Sequence, residues 1–129
     1  MAKKITIHTS EIMKARYGAA LEELKLLLGE VYTKVKAVLE DEEAEAPYVS
    51  AGQMVGFFWQ HVINNVATRR WDLEFAMKSI EALNSLLDED LQNNNDFTAG
   101  FTSIVQSFTE EQNSALGEMG FVPKEAEVN

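Results

Sequence analysis

The chain's 129 residues are 46% hydrophobic and 25% charged, a balance that suits one globular domain and excludes a disordered or low-complexity chain. It contains no cysteine, which removes disulfides, thiolate chemistry and cysteine zinc sites from consideration. The net charge of −10, with only 11 Lys and Arg in all, argues against direct nucleic-acid binding through a basic face.

Residues 1–9 alternate weakly around Ile5 and Ile7 and predict a short extended arm or edge strand. Lys3 and Lys4 are not followed by the long apolar run that a secretory signal needs, so a cytoplasmic protein is expected. Thr9 or Ser10 can cap a helix, and Glu11 in its first turn favours the helix dipole. The first helix is expected over residues 10–43. Its apolar positions Tyr17, Leu21, Leu24, Leu28, Val31, Val35 and Val38 alternate steps of four and three, as a bundle or coiled-coil seam requires. Leu26, Leu27, Tyr32 and Leu39 widen that surface, so this helix is apolar on two sides and needs more than one neighbour. The acidic run before Pro47, followed by Pro47 itself, marks a stop.

A second helix is expected over residues 51–90. Val55, Phe58, Trp59, Val62, Ile63 and Val66 form one wide stripe, and Leu73, Ala76, Ile80, Leu83 and Leu87 continue in phase with it through Arg69. The unbroken phase favours one long helix. The competing reading breaks it near residues 64–72, with Asp72 capping a new helix. Gly52 and Gly56 are spaced so that another helix can approach closely.

Residues 88–96 read as a loop. Asp88 and Asp90 resemble the start of a calcium loop, but Asn93 stands where that pattern has Gly and Ala99 where it has Glu. Asp96 is the expected N-cap of a last helix over residues 96–119, in which Thr109 and Gln112 form a possible internal capping box that allows a kink. Gly120 can take the left-handed conformation that ends it, and residues 121–129 are a tail.

These elements predict an all-α fold in a single domain: a long antiparallel helical hairpin plus a third helix, or a four-helix bundle if the middle segment breaks. The bundle metal motif Glu-x-x-His is absent before both His8 and His61, and no nucleotide-binding, zinc-protease or nucleophile-elbow sequence occurs. No metal and no cofactor are therefore expected, and no enzyme. His61 could serve as a lone haem ligand beside Phe57, Phe58 and Trp59, but a single histidine in an aromatic helix is weak evidence, and a histidine on the margin of a packed helix explains it better. The longest apolar or glycine run, residues 54–59, is too short to span a bilayer, so no membrane partner is expected.

What remains is surface. At 100° per residue Phe57 lies about 200° from Val55, on an otherwise polar face, and Phe75, Ala82 and Leu86 form a similar off-stripe line. Phe57, His61, Phe75 and Leu86 are the candidate interaction surface, because interface centres are enriched in aromatics. The expected function is a non-enzymatic protein–protein interaction or assembly module that self-associates as a homo-oligomer. One alternative is a small acidic inhibitor or nucleic-acid mimic that binds a partner protein with a basic surface. A second is a bundle that holds a small apolar ligand or haem.

Overall fold

The first helix follows the heptad seam closely. In the computed structural model, which describes residues 11–120, α1 spans Glu11–Glu40 and buries Met13, Tyr17, Leu21, Leu24, Leu28, Val31 and Val35. The arm expected over residues 1–9, the caps at Thr9 and Ser10, and the tail over 121–129 lie outside the described residues. Tyr17 departs from helical dihedrals (φ −119°, ψ 25°) where its side chain reaches the start of another helix. Its hydroxyl accepts a hydrogen bond from the Asp72 amide at 3.0 Å, and its ring stacks on Phe75 with centroids 4.2 Å apart.

Five further helices follow among the described residues: α2 (Pro47–Ala67), α3 (Leu73–Leu86), α4 (Glu89–Gln92), α5 (Asn95–Val105) and α6 (Glu110–Glu118). All-α is therefore the observed class, with no strand among the described residues. Pro47 does not merely stop α1. It is the first residue of α2, where its missing N–H leaves nothing unsatisfied and its fixed φ suits the helix, so α2 starts four residues earlier than Ala51.

The single helix expected over residues 51–90 is broken. The Arg69 amide donates to the Val66 carbonyl (3.0 Å) and the Arg70 amide to the Asn65 carbonyl (2.9 Å), the paired bonds of a Schellman ending, with Arg69 in the left-handed region at φ 65°. Asp72 then caps α3, its carboxylate accepting from the Phe75 amide at 2.9 Å. The seam phase survives the break because α3 folds back on the same core. Periodicity reports which residues are apolar, and a reversal between two packed helices leaves it intact.

The direction of each helix can be read from its contacts. Tyr17 near the start of α1 meets Phe75 near the start of α3, while Tyr32, Val35 and Leu39 near the end of α1 share a groove with Leu86 and Leu87. α1 and α3 therefore run the same way, with α2 antiparallel to both. α5 and α6 run with α2: a side chain on Gly52 would strike Phe97 and Phe101, one on Gly56 would meet Ile104 Cβ at 2.7 Å, and Gln60 donates to Gln112 at 3.2 Å. Among the described residues the rods run up, down, up, down, with the fourth in two pieces, α5 and α6, packed on α2.

Those two pieces divide at the capping box. The Gln112 amide donates to Thr109 Oγ1 (3.1 Å) and the Thr109 amide to Gln112 Oε1 (3.0 Å), so α6 begins afresh instead of continuing α5. Asn94, and not Asp96, caps α5: its Oδ1 accepts from the amides of Asp96 and Phe97 at 2.9 and 3.1 Å. The run read as a loop over 88–96 contains the one-turn α4, held by Gln92, whose side-chain amide donates to the carbonyls of Asn84 (3.2 Å) and Leu87 (3.0 Å). At the far end Gly120 adopts φ 92°, the left-handed conformation expected of it.

Among the described residues the most extensive helix contact is between α2 and α5. Gly52 and Gly56 from one side and Gly100 from the other bring the two backbones together, and a Cβ on Gly100 would strike the Val49 carbonyl. The small-residue spacing seen in the sequence is thus used for close approach, and Gly100 completes it.

Candidate interaction surface

The four residues proposed as one surface do not share it. Phe75 is 0% exposed, enclosed by the Tyr17 ring and by the edge of Trp71 at 4.7 Å, and Leu86 is buried where α3 meets the end of α1. Both belong to the core. Their assignment to the surface projected a continuous helix onto one wheel, and the turn at 68–72 gives α3 its own axis and its own buried face. Ala82 is buried for the same reason.

Phe57 keeps its place on the outside at 57% exposure. His61, one turn further along α2, is exposed as well, with its ring edge-on to Trp71 at 5.9 Å. It lines neither of two apolar grooves found among the described residues. One of these, about 310 Å³, lies among Tyr32, Val35, Leu39, Leu86, Leu87 and Leu91; the other, about 210 Å³, lies among Val55, Trp59, Leu87, Phe97 and Phe101. Among the described residues no three His, Asp or Glu side chains gather as metal ligands would. No helix among them is long and apolar enough to cross a membrane.

The larger exposed feature is on α1. Ile12 is 80% exposed and Leu26 71%, the most exposed of the large apolar side chains described. At 100° per residue Ile12, Ala19 and Leu26 fall within about 40° of one another, opposite the Leu24–Leu28 seam. The helix thus carries two apolar lines: an inner one spent on the core and an outer one facing solvent. Ala15 and Ala19 keep the outer line low between its two large ends, and both are exposed.

Charge flanks this line. Arg16 sits beside it with its guanidinium 3.3 Å from Asp72 Oδ2 and 5.4 Å from the centroid of the Tyr17 ring. Glu22 pairs with Lys25 at 3.8 Å, and Glu23 is exposed on the same side of the line as Arg16. Pairs this exposed add little to folding, so these side chains remain available to other groups. Leu26 and the two-sided character of α1 are legible in the sequence, while the link to Ile12 and Ala19 emerges from their exposure. The seven-residue spacing was the signal that could have shown it.

Comparison of the chain with protein-family models, with curated proteins and with solved structures finds no match.

Proposed function

We propose that this protein is a non-enzymatic helical interaction module that self-associates through the outer face of α1. The observation that supports this reading is the exposure of Ile12 and Leu26 on a helix whose core seam is already satisfied on the opposite side. Each holds apolar area that water disfavours by about 25 cal/mol per Å², a cost that a partner surface relieves.

The rest of the molecule serves this face as a scaffold. α1 is held along its inner side by α2 and α3, and the glycine contact between α2 and α5 fixes the far side of the bundle. A helix so supported presents its outer residues without having to fold on binding, which lowers the entropic cost of association. Sedimentation equilibrium over a range reaching high micromolar concentration tests the reading. The expected mass approaches twice that of the 14.5 kDa chain, and a mass that stays at the single-chain value throughout rules self-association out.

A further inference from the structure

Resting on the self-association just proposed, we infer that the partner is a second copy of this chain, docked antiparallel along α1 with a two-fold axis beside Ala19. The order of residues on the outer line carries the inference. Ile12 and Leu26 lie seven residues to either side of Ala19, so a two-fold at Ala19 sets Ile12 against the partner's Leu26 and Leu26 against the partner's Ile12. The small Ala19 pair at the centre lets the helices come close, and a large aliphatic pair fills the interface at each end.

The charges distinguish this arrangement from its reverse. On a helix, Arg16 and Glu23 flank the outer line on one side and Ala15 and Glu22 on the other. An antiparallel two-fold brings like sides together, which sets Arg16 opposite the partner's Glu23 and Glu23 opposite the partner's Arg16. A parallel pair brings unlike sides together and places Glu22 against the partner's Glu23, carboxylate on carboxylate. Arg16 can reach a second carboxylate while keeping Asp72, because its guanidinium offers five donors in a fixed fork.

α1 is kinked at Tyr17, between Ile12 and Ala19. Met13 before the kink and Leu21 after it are both buried, so α1 turns one side to the core on either side of the kink and leaves Ile12, Ala19 and Leu26 exposed.

The absence of native cysteine makes the test direct. Single variants Ala19→Cys, Ile12→Cys and Leu26→Cys, each at an exposed position, are oxidised in the full-length chain and run on non-reducing gels, with Gly117→Cys on α6 as an exposed control. A disulfide needs Cα atoms within about 7 Å, which the two-fold provides only at Ala19. Ala19→Cys is expected to cross-link at least tenfold faster than Gly117→Cys. Ile12→Cys and Leu26→Cys are expected to cross-link when mixed and not when separate. Self-cross-linking of Ile12→Cys and of Leu26→Cys, each alone, overturns the antiparallel register in favour of a parallel one. If the wild-type chain sediments as a dimer but Ala19→Cys is no faster than the control, self-association stands and this seam does not. If the wild-type chain is a monomer, both readings fail together.

Discussion

Two phenylalanines separate core from surface most sharply. Phe75 is enclosed by Tyr17 and Trp71, so Phe75→Ala leaves a cavity under stacked rings and is expected to cost about 3–5 kcal/mol, whereas Phe57→Ala removes a ring more than half in water and is expected to change folding stability by about 0.5 kcal/mol or less. Urea midpoints of the two variants check this, and equal losses would place Phe57 in the core as well. Glycines divide in the same way. Gly52→Ala and Gly100→Ala force a Cβ into the backbone of the opposing helix and are each expected to cost about 1–3 kcal/mol. Gly18→Ala meets nothing within 4 Å in the middle of α1 and is expected to gain up to about 1 kcal/mol in the same measurement. A single sequence shows that a glycine is present; only the approach of another backbone shows what it is for. That is why the spacing of Gly52 and Gly56 was legible as a pointer to close packing while Gly100, alone in its helix, was not.

At the scale of elements, the sequence was most readable where a helix is long and its caps are made by its own side chains. The seam of α1 anticipated its buried face from Tyr17 to Val35, although Val38 is only half-buried and Met13 was not part of it, and Thr109 with Gln112 marked an allowed kink where α6 in fact begins anew. The break between α2 and α3 was harder to see because its left-handed position is filled by an arginine, where a glycine would have announced it. Arg69→Gly puts the sign of that argument to the test. At a left-handed C′ position glycine relieves backbone strain, so the variant is expected to be more stable by about 0.5–1 kcal/mol; within a continuous helix the same change would cost about 1 kcal/mol. A lowered urea midpoint would therefore argue for continuity through residues 68–72. Thr109→Ala probes the other break and is expected to cost about 1 kcal/mol, the usual loss when a side-chain cap is removed. No loss would mean that α6 does not depend on its capping box.

For the whole molecule, the fold class was legible because helical periodicity is a property of each segment, but the arrangement and the exposed faces depend on how separate axes are turned against one another. Phe75 and Leu86 changed sides for that reason, and Ile12 and Leu26 came into view only once the inner side of α1 was filled. Among the described residues six helices pack with α1 carrying two apolar lines, one buried and one left outside, and the outer one is the face proposed for association. Sedimentation equilibrium of Leu26→Lys beside the wild-type chain tests this most directly. A charge in place of one of the two large aliphatic residues of the contact is expected to weaken association by roughly thirtyfold, the equivalent of about 2 kcal/mol, while the exposed position leaves the urea midpoint of folding unchanged. The account predicts a wild-type dimer and a folded, monomeric variant at the same concentration; identical masses for the two chains would contradict it.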